Sequence, residues 1–240
     1  MRAYSMFAGA LAAAAAFAGV AAAQSSDLVT EQIYSVGSFD KVAGVGANHF
    51  IITVGAVPSV RASGPARTLE HYEVVVEDGE LKIEPKEKYR HDGSMRNLPP
   101  ATYRITVPRI AAATLAGSGD MAVDRVEQGS FSATLAGSGK MSIGRMSVDQ
   151  VELSLAGSGD LEVSGSARTS SVSVAGSGKL RARGLRSETA SVSVAGSGDT
   201  SLTVNGSADI SIVGSGNVDI DGTSRCSVSK MGSGKATCSA

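Results

Sequence analysis

The tripeptide Gly-Ser-Gly recurs seven times in the second half of the chain, and this recurrence sharply limits what the chain can fold into. The copies begin at Gly117, Gly137, Gly157, Gly176, Gly196, Gly214 and Gly232. Successive copies lie 20, 20, 19, 20, 18 and 18 residues apart. A unit of that size cannot bury its own apolar side chains, so neighbouring units must stack and share one core. Residues 110–240 are therefore expected to form a solenoid.

With the first glycine of each triplet set at zero, the even positions are mostly apolar. Position −4 holds Ala113, Ala133, Leu153, Val172, Val192, Ile210 and Val228, and position +4 holds Met121, Met141, Leu161, Leu180, Thr200, Val218 and Ala236. The odd positions are small or polar: position −3 runs from Thr114 to Ser229 without a residue larger than Thr, and position +1 is always Ser. Period-two alternation means strands with one face in the core and one in water. Each unit of about 18–20 residues reads as one coil of an all-β, parallel β-helix, with coils about 4.8 Å apart and a column about 30 Å tall. The two glycines fall at inward positions, where either the walls converge or the backbone needs a φ that only Gly tolerates. A phosphate-binding loop would need a Gly-rich turn that opens a helix, and none of the seven does.

A candidate surface ladder follows from the same columns. Position +1 supplies Ser118, Ser138, Ser158, Ser177 and Ser197, and position +3 supplies Asp120, Lys140, Asp160, Lys179 and Asp199, continuing as Asn217 and Lys235. Stacked in register, alternating signs place each charge beside an opposite one. Each exposed contact is worth about 0.2–1 kcal/mol, so the ladder mainly fixes register. A lysine in alternate coils would repel calcium, and calcium-binding solenoids use a shorter repeat.

The two cysteines, Cys226 and Cys238, lie in the last coil at inward positions −6 and +6. They are expected to form a disulfide that clamps this end, worth up to about 3 kcal/mol; the alternative is two buried thiols on walls too far apart to bridge. Residues 1–23 read as a secretory signal peptide, with Arg2, an Ala-rich apolar stretch and a small-residue site at Ala21-Ala22-Ala23. No later segment is apolar enough to span a membrane. The mature chain is expected to be exported, to the periplasm or the outer cell surface. A net charge of −1 argues against a nucleic-acid partner, which calls for a basic face.

Residues 24–34 read as an N-terminal tail and 35–109 as a β-rich part that caps the solenoid or forms its first coils. Val45–Val54, Tyr72–Val76, Leu81–Ile83 and Tyr103–Val107 are expected strands, with Asp78-Gly79 as a tight turn. Pro85 to Pro100 reads as a mobile, basic surface loop, and no helix of useful length is expected. His49, His71 and His91 share no metal-ligand spacing and read as surface residues. No cofactor is implied.

Ser38-Phe39-Asp40-Lys41-Val42, Gly79-Glu80-Leu81-Lys82-Ile83, Tyr103-Arg104-Ile105-Thr106-Val107-Pro108 and the recurring Gly-Ser-Gly-Asp, in this order, resemble the bacterial GIN-domain family of autotransporter adhesin head domains. The resemblance covers about residues 35–235. It implies a single-stranded right-handed β-helix and carries over no catalytic residues. Lys140, Lys179 and Lys235 depart from the commoner acidic motif, and no translocator barrel is visible in this sequence.

The expected function is that of an exported, non-enzymatic cell-envelope protein with an adhesin-like binding or scaffold role on its repetitive face. An envelope polysaccharide or another envelope protein would be its partner, in an oligomeric state the sequence does not give. The alternative is a polysaccharide lyase or hydrolase, which the fold alone suggests. Hydrolysis would need two carboxylates flanking a groove, whereas the acids at +3 alternate with lysines. A third reading, an ice- or mineral-binding face, prefers regular Thr rows over this mostly Ser ladder.

Overall fold

A computed structural model describes residues 28–90, 93–127 and 129–240; the leader expected over 1–23 and His91 lie outside the described residues. The described residues are 71% strand and 5% helix, wound into a β-solenoid of about six turns. Strands β1 (Val29–Tyr34), β2 (Lys41–Gly46), β3 (His49–Val54) and β4 (Ser59–Pro65) precede helix α1 (Ala66–His71). The hairpin of β5 (Tyr72–Glu77) and β6 (Glu80–Pro85) follows, then helix α2 (Glu87–Arg90) and β7 (Thr102–Val107). The repeat begins with β8 (Ala112–Gly117), β9 (Asp120–Glu127) and β10 (Ser130–Gly137). Four long, bent strands continue it: β11 (Lys140–Gly157), β12 (Asp160–Gly176), β13 (Lys179–Gly196) and β14 (Asp199–Gly214). The column closes with β15 (Asn217–Asp221), β16 (Cys226–Met231) and β17 (Lys235–Ser239).

Stacking is parallel and in register through the triplets, from Gly117 to Gly137, Gly157, Gly176, Gly196 and Gly214. In β11 the buried side chains are Met141, Ile143, Met146, Val148, Val151, Leu153 and Leu155. Their alternation slips at Gly144–Arg145 and Asp149–Gln150, where two adjacent residues face outward. Each slip is a corner, so a coil is three short straight runs. The register shifts between coils sit near these corners, between Ile143 and Met146, Glu162 and Ser164, and Ala182 and Arg186. Coil lengths therefore vary while the triplets stay aligned.

The N-terminal part both forms coils and caps them. β2 and β3 make a coil beneath β8 and β9, with Gly46 under Gly117 and His49 under Asp120. Below this coil lie β6 and β7, which come later in the chain. The expected strand Val45–Val54 is broken in two, because Gly46 takes φ +103 at the triplet corner. Asn48 stands in for the second glycine there. Its Oδ1 accepts the buried Ala101 N–H at 2.9 Å, which closes the corner over the base.

Three further strands finish the base antiparallel: β5 on β6, β4 on β7, and β1 on β4. Residues 29–34, expected as a tail, are thus an edge strand. Almost all its side chains are exposed, so backbone pairing holds it and no apolar pattern announces it. The expected mobile loop over Pro85–Pro100 is likewise pinned at several points. Arg90 pairs with Glu84 at 2.9 Å, Thr68 Oγ1 donates to the Pro99 carbonyl at 2.8 Å, and Met95 packs on the core. The two helices span 6 and 4 residues.

Among the described residues the aromatic ring contacts lie at the base, where Phe50 stacks on Tyr103 at 5.5 Å and Tyr72 tilts against it at 6.4 Å. Phe131 packs alone among aliphatic side chains higher in the column. Burial pushes the Tyr103 phenol well above its usual range. Higher up, two buried serines interrupt the aliphatic core, and their hydroxyls bond each other at 2.5 Å (Ser170 and Ser187). Ser170→Ala alone is expected to cost about 1–3 kcal/mol, because it strands the buried Ser187 hydroxyl. The double change to Ala should be nearly neutral for the same reason. Denaturant midpoints of the two variants test this, and equal destabilisation would refute it.

Candidate functional site

One outer face of the column carries the candidate site. Because the coils stack in register, position +3 forms a straight row: Asp120, Lys140, Asp160, Lys179, Asp199, Asn217 and Lys235 pair successively along the column. His49 extends the row at the base and sits 3.0 Å from Asp120 through Nδ1. At the adjacent corner, Ser118, Ser138, Ser158, Ser177 and Ser197 are all exposed, beside rather than among the charges. The structure thus gathers the sequence-derived ladder into two parallel rows.

The ion pairs differ from a simple alternation along the row. Among the described residues no ladder lysine has an ion pair with a neighbouring aspartate. Asp160 Oδ1 instead binds Arg181 Nη1 at 3.0 Å, one coil up and one outward position along. Asp199 accepts from Asn217 Nδ2 at 2.9 Å. The physical reason is reach: a planar guanidinium on the next rung presents fixed donors to a carboxylate, whereas a lysine held beside it loses little by staying hydrated.

Arg183 spans further still. It sits 3.7 Å from Asp219 and 3.3 Å from Asp221, both two coils above it. The intervening coil offers only Ser201 and Thr203 at the facing positions, which leaves the long side chain a path over them. Arg181, Arg183 and Asp219 were absent from the sequence-derived set. Position +5, which reads Glu162, Arg181, Ser201, Asp219 and Thr237 in register, carries the signal that would have found two of them.

These rows border a shallow groove of about 800 Å³, lined by Glu162, Lys179, Arg181, Arg183, Asp199 and Asp219 among others. It offers alternating donors and acceptors at a rung spacing of about 4.8 Å. Aromatic platforms are absent from its lining. Asp160, Asp219 and Asp221 are each engaged by an arginine. Among the described residues no group of three or more His, Cys, Asp or Glu could hold a metal ion.

The histidines divide. His49 is exposed in the ladder, but His71, expected at the surface, is 8% exposed. It ends α1 with Nδ1 2.6 Å from the Arg67 carbonyl and is covered by the Tyr89 ring, with centroids 3.9 Å apart. The α2 segment supplies that cover. The two cysteines are joined in a disulfide across the last coil, and both are only partly buried because no coil lies above them.

A β-solenoid with an in-register polar face and an aromatic-rich capped base defines the class of protein. The chain belongs to the family described as "Putative auto-transporter adhesin, head GIN domain", which matches residues 38–224. No curated protein sequence matches the chain. Among solved structures it is similar to a "putative adhesin" of Bacteroides fragilis, at 21% identity and a TM-score of 0.80 over 88% of this chain and 97% of that one. It is also similar to a "putative lipid binding protein" of Parabacteroides distasonis, at 24% identity and a TM-score of 0.69 over 88% and 96%. A "putative adhesin" of the same organism follows at 16% identity and 0.62 over 88% and 97%. These likenesses establish a shared fold. No helix among the described residues is long and apolar enough to cross a membrane.

Proposed function

We propose that the protein is an exported, non-enzymatic component of the cell envelope that binds an envelope polysaccharide along its charged face, in the manner of an adhesin. The observation that carries this reading is the in-register row from Asp120 to Lys235 beside the groove at Arg181 and Arg183. A repeat of about 4.8 Å approximates the advance of one sugar residue in an extended polymer. Hydroxyl and carboxylate groups on such a polymer would meet alternating donors and acceptors rung after rung. Weak contacts then add through effective concentration rather than through any single deep pocket. Membership of an adhesin-type family supports a binding role over catalysis, and the arginine-bound carboxylates lend no support to paired-acid hydrolysis.

Retention of the mature chain on immobilised envelope polysaccharide or peptidoglycan tests the reading. Replacing Arg181 and Arg183 together with Ala is expected to weaken retention at least about tenfold, since charge-assisted hydrogen bonds contribute about 1.5–3 kcal/mol each. A native chain that passes every such polymer unretained would refute the reading.

A further inference from the structure

The two ends of the column differ in a way the charged face does not explain. Two walls of the solenoid run its full height. One begins at β5 and ends at β16, and the other begins at β1 and ends at β17. Among the described residues, each of these four strands is paired on one side only. Unpaired strand edges are templates for further pairing unless charge, proline or a covering element blunts them. None of the four carries a proline within its span, and among the described residues no helix covers β16 or β17.

The exposed large apolar residues collect at the same two ends. Leu28, Val29 and Ile33 lie at the base, and Val213, Val228 and Met231 at the far end; Val57 alone lies apart. Val228 continues a core column, being stacked on Ile210, so it marks a core left uncovered. Apolar surface placed this way signals an interaction surface.

Charge then separates the edge strands at the two ends. The edge strands β16 and β17 carry Lys230 and Lys235 and no acid, while β1 and β5 carry Glu31, Glu73 and Glu77 and no base. Glu77 is already held by Lys82 at 2.7 Å, which leaves Glu31 and Glu73 as the acids without an ion pair among the described residues. Between β1 and β5 a groove of about 560 Å³ is lined by Gln32, Leu69, Glu70, Glu73 and Val74, with Lys86 tied to the Glu70 carbonyl at 2.7 Å.

We infer that the far end of one copy docks on the base of a second copy of this chain, head to tail. Like ends would bring lysines against lysines, whereas unlike ends bring Lys230 and Lys235 towards Glu31 and Glu73. Below the coil of β6 and β7 one wall adds only β5 and the other adds β4 and β1, so β1 stands one strand further out and makes the edge contact. β1 runs with its wall, so β17 of the copy below meets it parallel, while β16 faces β5 across a gap one strand wide. The contact is heterologous and therefore propagates into a filament instead of closing as a dimer.

Light scattering of the mature chain over a range of concentration and salt, without any polysaccharide, is the test. Masses should grow in whole-chain steps and fall as salt rises. A Lys230→Glu/Lys235→Glu variant and a Glu31→Lys/Glu73→Lys variant should each need at least about tenfold more protein to assemble. Mixed in equal amounts, they should assemble again, because each offers the other a complementary end; a folding defect could not be rescued so. A native chain that stays monomeric, a closed dimer that grows no further, or a mixture that fails to recover would overturn the inference. Polysaccharide binding is read separately on the Arg181 and Arg183 variant, so failure of either reading leaves the other standing.

Discussion

Gly176→Ala is expected to destabilise the protein by about 3 kcal/mol, a large effect for the addition of one methyl group. Two penalties meet at this position. The backbone sits at φ +119, where an L side chain costs about 1–3 kcal/mol. A Cβ there would also collide with the Gly157 carbonyl oxygen and lie 3.1 Å from its carbon, and crowding of that kind adds about 1–3 kcal/mol. The obstacle is backbone in a continuous parallel ladder, so it cannot swing aside. Gly178 separates the two effects, since it lacks the positive φ but would bring its Cβ within 2.6 Å of the Gly159 oxygen. Gly178→Ala should therefore cost less than Gly176→Ala, at about 1–3 kcal/mol. Ser177, exposed between them, should tolerate Ala within about 0.5 kcal/mol.

Urea midpoints of the three variants give the order directly. Because each coil is stabilised through its neighbours, the defect at Gly176 should also weaken the coupling between the coils on either side and lower the slope of the transition. Equal midpoints for Gly176→Ala and Ser177→Ala would remove the steric account of the triplet.

The same triplet explains why the fold was legible. Period-two alternation around Gly117 to Gly232 is a direct image of wall residues pointing in and out, and the in-register stacking of coils follows from it. Of the two sequence-level explanations of the glycines, the φ requirement applies at the first position only, while lack of room applies at both, where a Cβ would meet the backbone of the coil below. The corners were hidden because they are only one-residue slips in phase, at Gly144–Arg145 and Asp149–Gln150. The base was hidden for a different reason. β6 and β7 lie beneath β2 and β3 although they follow them in the chain, and no local pattern encodes that order. β1 was missed because its side chains stay in solvent. In the candidate site the row at +3 was visible as a column, but Arg183 pairs across two coils, and pairing over that separation depends on the small residues between. His71 was misplaced because its burial comes from the Tyr89 ring, far along the chain.

The second large effect is expected at the far end of the column, in the last coil. Removing the disulfide through Cys226→Ser/Cys238→Ser should destabilise the last coil by about 3 kcal/mol, the loop-closure value for a link spanning 12 residues. The bond ties β16 on one wall to β17 on the other, and little else does so. Val228 is 46% exposed and Met231 74% exposed, and Lys230 stands where earlier coils place Leu, Val or Ile. One coil below, Ile210, Ile212, Val218 and Ile220 are all buried, which sets a floor beneath the loosened region. Opening should accordingly stop there. Hydrogen exchange should show protection lost over residues 226–239 while β11 to β13 keep theirs. The edge inferred to receive a second copy would lose its order at the same time, so reduction should also raise the concentration needed for assembly. A reduced chain whose last coil keeps full protection would mean that strand pairing with β14 and β15 alone holds the end, and that the disulfide contributes nothing to the docking surface.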